Sequence, residues 1–197
     1  MTGASGGGGA ARRGARSRRA ILDATLELAA RRGYGSLTIE AVAAAAGVGK
    51  PTIYRWWPSK GALALDALDD AVGDALDFPD TGDVAADLAA QIGRMVALFG
   101  GDLGTVFRGV IAEGQSSPEI AAAVRDTVLE PRTRACQVRL AKAVAEGQLR
   151  DDVPTRAMVE MLYAPFFYRA LLGTDVMTVR QVPEIIGRVL DGLRPAA

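Results

Sequence analysis

The chain has 197 residues, 49% hydrophobic and 23% charged, with 23 basic and 23 acidic side chains and no histidine. That is apolar material for one substantial core or two small ones, and the missing histidine removes the commonest general base, metal ligand and triad member. The neutral total hides an asymmetry: residues 1–60 hold ten basic and three acidic side chains, a net of +7, which leaves −7 on the remainder and concentrates positive charge where phosphate would be met.

Residues 1–14 contain Gly6–Gly9 followed by arginines and read as a disordered basic arm. They lack the apolar core of a secretory signal. An inert tail and an arm reaching a minor groove are both open readings. Residues 15–61 form the first expected domain. A helix spans Arg16–Arg32, and Gly33-Tyr34-Gly35 ends it. Thr38 then caps a short helix with Leu37 and Val42 at the staple positions, and Ile39, Val42, Ala43 and Ala46 recur on one narrow apolar face. Gly47 stands just past that face, where a left-handed cap costs glycine least.

The next helix starts at Gly49 or Lys50 with Pro51 in its first turn. At about 100° per residue, Ile53 and Trp57 share the inward side, while Pro51, Thr52, Tyr54 and Arg55 face out. Hydroxyls, a phenol and a guanidinium on one face suit both phosphate oxygens and base edges. Taken singly, Thr38 is explained by capping, Trp56 and Trp57 by packing, and Lys50, Tyr54 and Arg55 by an ordinary solvated face. Taken together, two short helices broken at Gly47 with a basic second helix are the pattern of a helix-turn-helix. Ser59 caps the helix that follows from Lys60.

From about Arg16 to Leu68 the sequence resembles the tetracycline-repressor (TetR) family of bacterial regulators. The matching residues are the Arg16–Arg32 helix, Gly33-Tyr34-Gly35, Leu37-Thr38-Ile39, Ala43, Ala46-Gly47-Val48, Thr52-Ile53-Tyr54-Arg55-Trp56-Trp57 and Ser59-Lys60. Gly49 and Lys50 depart from it, standing where the family often has Ser and a neutral residue. The resemblance implies an all-α homodimer whose N-terminal three-helix domain binds operator DNA and whose C-terminal bundle binds a small ligand. It also implies that Lys50, Pro51, Thr52 and Tyr54 lie at base edges, with Arg55 beside them, and that Thr38, Tyr54 and Lys60 touch phosphates.

Residues 62–197 read as consecutive helices, giving about nine in all. Lys60–Ala75 leads on, and Asp77-Phe78-Pro79-Asp80-Thr81-Gly82 is a loop. A helix from Asp83 to Phe99 turns Leu88, Ile92, Met95, Val96 and Phe99 inward. Thr105–Glu113 is short, and Ser116-Ser117-Pro118-Glu119 opens a helix to about Glu130. Pro131 starts or kinks another, ending at Gly147. Thr155–Leu172 and Val179–Leu193 complete the chain.

Met95, Phe99, Phe107, Val110, Ile111, Tyr163 and Phe167 are the candidate lining of an apolar effector pocket, with Arg94, Arg108, Glu113, Gln115 or Tyr163 as sparse polar anchors. The same side chains would equally fill a solid core. Methionines and aromatics favour a hydrophobic effector over a sugar or a phosphate. Met158, Met161, Leu162, Pro165, Phe166, Arg169, Ile185, Val189 and Leu190 are the candidate dimer contact, since the family resembled pairs through its last two long helices. Those helices could also pack only on their own domain.

Cys136 is the single cysteine, which suits a reducing cytoplasm and reads as a buried small hydrophobe before a redox sensor. No apolar run approaches the ~18 residues of a membrane span. Gly100-Gly101-Asp102-Leu103-Gly104 follows a helix, and Asp69-Asp70 and Asp151-Asp152 lack a convergent context. No catalytic residue, metal ligand or cofactor is therefore expected. The expected protein is a cytoplasmic, ligand-responsive repressor that binds a palindromic operator as a homodimer and is released by a small hydrophobic effector. An activator or a ligand-independent regulator of the same fold is the alternative within this class, and a helical interaction module without DNA binding is the alternative outside it.

Overall fold

The computed structural model describes residues 7–195, and among them it contains helices and turns but no strand. The described residues divide into two compact units: the residues up to Ala71 with Thr105–Ala121, and Val72–Gly104 with the residues from Ala122 on. This division does not follow the functional boundary expected between residues 61 and 62, because a stretch from the middle of the chain packs with the N-terminal helices.

The first unit begins with α1 (Gly7–Arg32), which is longer than the expected Arg16–Arg32 helix. Residues 7–14 of the expected arm are therefore helical, in keeping with the helix-forming Ala10 to Arg13 run, while residues 1–6 lie outside the described residues. Ile21, Leu22, Thr25 and Ala29 form its buried stripe, and the Thr25 hydroxyl donates back to the Ile21 carbonyl at 2.7 Å. Then come α2 (Ile39–Ala46), α3 (Lys50–Tyr54) and α4 (Lys60–Val72). A 3-10 turn, Gly73–Leu76, replaces the last turn expected of α4. Later in the chain, α6 (Asp102–Gly114) buries Val106, Phe107 and Val110, and α7 (Pro118–Ala123) follows it.

In the second unit, Asp83 caps α5 (Val84–Phe99) by accepting from the amides of Ala85 and Ala86 at 2.9 and 3.1 Å. Leu88, Ile92, Met95 and Val96 of α5 are buried as expected. A π-helical stretch, Val124–Leu129, joins α7 to α8 (Glu130–Ala145) without a break. Pro131 is the physical reason: it has no N–H to donate and its ring crowds the carbonyl four residues back, so the widened turn takes up the mismatch. Counted as one, α7, the π stretch and α8 bring the described helices to nine. The last two are α9 (Thr155–Leu172) and α10 (Val182–Asp191), the latter entered through a 3-10 turn at Val179–Gln181. One apolar cluster joins α5, α8, α9 and α10 through Leu88, Ile92, Leu140, Met158, Leu162 and Ile186. Among the described residues, no single helix is long and apolar enough to cross a membrane.

Candidate nucleic-acid interface

The α2–α3 unit is assembled from local signals. Thr38 accepts the Ala41 amide at 3.2 Å and so caps α2. Gly47 ends α2 at φ 66°, left-handed backbone that L side chains rarely adopt. The Val48 amide returns to the Ala43 carbonyl at 3.0 Å and closes the turn. Pro51 stands in the first turn of α3, and Ile53 inside it is fully buried. Trp57, just beyond α3, is 4% exposed. These two side chains fix which side of α3 faces outward.

On that outward side, Lys50, Pro51, Tyr54 and Arg55 are exposed and Thr52 is half-buried. Thr38, also exposed, stands at the start of α2. Tyr54 is 53% and Trp56 49% exposed, so the packing reading of the two tryptophans holds for Trp57 alone. The Arg55 guanidinium lies 5.7 Å from the Trp56 ring centroid, a cation–π contact at the surface. Lys50 donates to Glu40 Oε1 at 3.0 Å. The Glu40 carboxyl is held below the usual carboxylate range by its own backbone amide first and then by Lys50.

Trp57 and Asp66 hold this face in place. The indole N–H of Trp57 donates to Asp66 at 2.8 Å, and Arg18 Nη2 contacts both oxygens of the same carboxylate at 2.8 Å. Arg18 and Arg19 of α1 also reach Asp70 at 3.4 and 2.9 Å. The basic residues of α1 nearest α4 thus serve as ties, which sequence reading did not foresee. Lys60, expected on a phosphate, stands 3.4 Å from Glu113 and 4.4 Å from the Tyr34 ring centroid. Glu113 accepts the Tyr34 hydroxyl at 2.8 Å. Glu113 is therefore occupied by its own unit, although its position allowed it to be read as a ligand anchor. No local pattern marks a pair so distant in sequence.

The expected effector residues fall into both units. Phe107, Val110 and Ile111 belong to the first, where Phe107 and Val110 are core. Met95, Phe99, Tyr163 and Phe167 belong to the second, where Met95 is buried and the other three pack against its apolar cluster. The Tyr163 hydroxyl donates to Gln91 at 2.7 Å, and Gln91 donates to the Leu76 carbonyl at 3.2 Å. Arg94 donates to the Ala75 and Asp77 carbonyls at 2.8 and 2.6 Å, so it braces a turn. Asp87 and Arg139 form a buried ion pair, with Arg139 Nε donating to Asp87 at 2.8 Å and Nη2 at 2.7 Å from the same oxygen. Thr81 donates to that carboxylate through its hydroxyl at 2.7 Å.

The expected dimer residues also separate. Met158, Leu162, Phe166 and Leu190 point into the core of their own unit and are at most 6% exposed, so they are not available to a partner directly. Their periodicity marked the apolar side of α9 and α10 without distinguishing own core from outer face. Met161 is exposed, and Pro165, Arg169, Ile185 and Val189 are half-buried. Tyr168, Leu171 and Leu172, which the sequence reading did not single out, are 60%, 43% and 64% exposed. Arg169, Gln181, Glu184, Ile185 and Arg188 line a surface hollow of about 280 Å³.

A buried-anchor helix that presents Lys50, Pro51, Thr52, Tyr54 and Arg55 outward, after a glycine-capped helix, defines a helix-turn-helix DNA-binding protein. The family model described as "Bacterial regulatory proteins, tetR family" matches residues 21–67, and that described as "Tetracyclin repressor-like, C-terminal domain" matches residues 78–189. The chain belongs to the TetR family of bacterial transcriptional regulators. It is 28% identical over 176 residues to the HTH-type transcriptional regulator YdeS of Bacillus subtilis, covering 89% of each chain. It is 28% identical over 186 residues to the DNA-binding transcriptional repressor TetR of Mycobacteroides abscessus, covering 90% of this chain and 94% of that one. The crystal structure of the TetR family transcription regulator SCO0332 superposes with a TM-score of 0.76 at 37% identity, over 91% of this chain and 99% of that one.

Proposed function

We propose that the protein is a homodimeric repressor that reads a palindromic operator through α3 and is released by a small hydrophobic effector. The observation that carries the DNA reading is the outward face of α3, set over the buried Ile53 and Trp57. Lys50, Pro51, Thr52 and Tyr54 are assigned to base edges, and Thr38, Tyr54 and Lys60 to phosphates, with Arg55 beside them. One such helix reads too few base pairs for useful specificity, so pairing about a two-fold axis matches the protein to a dyad-symmetric site. The exposed side of α9, with Met161, Pro165, Tyr168 and Leu172 at helical spacing, supports pairing there.

Effector sensing is assigned to the second unit. Phe99 meets Phe166 edge to face at 6.4 Å, and Phe166 meets Phe167 at 5.3 Å. These rings with Met95 and Tyr163 offer apolar contact, and the Tyr163 hydroxyl offers one polar anchor. The effector releases DNA to the extent that it prefers the state in which the recognition helices no longer fit successive major grooves, typically by about 1–3 kcal/mol.

Footprinting on genomic fragments tests the reading. A protected dyad-symmetric sequence with half-sites about one helical turn apart is the expected result. Protection of no fragment overturns it. A screen of hydrophobic compounds tests the sensing arm: a hit raises the melting temperature and releases DNA, and Tyr163→Ala loses both responses while still binding DNA.

A further inference from the structure

Three residues of the first unit meet around one carboxylate. Glu113 of α6 accepts the Tyr34 hydroxyl at 2.8 Å, and Lys60 Nζ stands 3.4 Å from the same oxygen. Lys60 is also 4.4 Å from the Tyr34 ring centroid, so its ammonium sits between a carboxylate and an aromatic face. Tyr34 is buried, whereas the Lys60 and Glu113 side chains are 27% and 30% exposed. The ring lies directly on the backbone of α6: a Cβ at Gly109 would come within 2.3 Å of Tyr34 Cβ. Glu113 therefore cannot leave Lys60 far behind unless α6 or its own rotamer moves.

We propose that Glu113 takes the place of a DNA phosphate at Lys60 in the free protein, so that α6 and the operator compete for one ammonium. This rests on the reading of Lys60 as a phosphate contact. At 3.4 Å the pair is an ion pair without a strong hydrogen bond, weak enough to yield to the dense negative charge of a duplex. A displacement of α6 that presses Glu113 onto Lys60 lowers DNA affinity, and one that withdraws it raises affinity. Glu113 is thus a positioning residue for a DNA contact it does not itself make.

The test is fluorescence anisotropy of the full-length protein on its footprinted operator and on a random duplex across a salt series, with wild type, Glu113→Gln, Lys60→Gln, the double variant and Tyr34→Phe. Glu113→Gln keeps an oxygen for the Tyr34 hydroxyl and removes only the charge. It is expected to tighten both duplexes about two- to fivefold at low salt, the scale of a part-exposed ion pair, and to do nothing in the Lys60→Gln background. Tyr34→Phe leaves the ion pair in place and is expected to stay within about twofold of wild type. Melting curves confirm that each variant folds, and Glu113→Ala replaces Glu113→Gln if the latter does not.

Lys60→Gln that weakens binding while Glu113→Gln does not tighten it overturns the competition alone. Equal tightening by Glu113→Gln with and without Lys60 also overturns it, since the gain is then general electrostatics. So does tightening by Tyr34→Phe to the same degree, since the gain then comes from loosening α6. Lys60→Gln without effect on any duplex, while wild type still binds its operator, removes the phosphate role of Lys60 and the inference with it. Absence of DNA binding by wild type removes the function on which both depend.

Discussion

Trp57 donates its indole N–H to Asp66 at 2.8 Å, and that bond ties the segment after α3 to α4. The same carboxylate accepts Arg18 from α1 at 2.8 Å. One side chain thus ties the segment that follows the outward face of α3 to two supporting helices. Asp66→Ala leaves the Trp57 indole N–H without its acceptor and Arg18 with Asp70 alone at 3.4 Å, which costs about 1–3 kcal/mol. Thermal unfolding should show a midpoint several degrees lower, and specific DNA affinity should fall with it. Unchanged melting would remove Asp66 from this role.

The Asp87–Arg139 pair is the strongest stability prediction in the second unit. Its two side chains are 0% and 4% exposed, so Arg139→Met strands a buried carboxylate and should cost about 3–5 kcal/mol by denaturant unfolding. Asp87→Leu combined with Arg139→Met should recover much of the loss, because both charges are then gone. Burial pushes the Asp87 carboxyl up, but hydrogen bonds from Thr81 and Arg139 outweigh it and its pKa lies below the ordinary value. A depressed carboxyl contributes stability that is present above its unfolded pKa of about 3.9 and is lost as pH falls through the folded value. Acid titration should therefore show wild type losing stability in that window and the double variant losing less.

Cys136 is fully buried, and burial pushes its thiol up to about 12 against a smaller opposing contribution from Tyr163. The thiolate is the reactive form, so a thiol reagent at pH 8 should label native protein slowly and unfolded protein at once. Because the folded pKa is raised, the associated stability is complete below the free thiol's value of about 8.5 and declines as pH rises toward 12. Rapid native labelling would mean that the site opens.

Dimerisation is tested on exposed residues, since Phe166 is core. Tyr168→Glu with Leu172→Glu should leave the fold intact and shift sedimentation from about twice the 20.6 kDa chain mass toward the monomer. Wild type sedimenting as a monomer at micromolar concentration would remove the basis for dyad-symmetric recognition. A dimer unchanged by both substitutions would place its contact elsewhere.

The extent to which this architecture is readable from sequence follows from the range of each signal. Thr38, Gly47 and Pro51 act on backbone within a turn of themselves, and each stands at the helix end that its chemistry indicates. The inward positions of Ile53, Leu88, Ile92 and Val96 follow from the 3.6-residue period, and all four are buried. Periodicity fails where a helix has two apolar sides: Met158 and Met161 lie on the same α9, yet one is core and the other 44% exposed. Pairings across the fold leave no periodic trace, so the ties from Arg18 to Asp66, Lys60 to Glu113 and Asp87 to Arg139 emerge only in three dimensions.

Base reading by α3 is tested most directly by Thr52→Ala, because Thr52 lies on the outward face and takes no part in the Trp57–Asp66, Arg18–Asp66 or Lys60–Glu113 ties. Anisotropy at fixed salt should compare wild type and variant on the footprinted operator and on a scrambled duplex. Loss of one neutral hydroxyl contact to a base edge is worth about 0.5–1.5 kcal/mol, so the variant should bind the operator roughly 2- to 12-fold more weakly and the scrambled duplex as wild type does. Equal loss on both duplexes, or no loss on either, would contradict base reading by this face of α3.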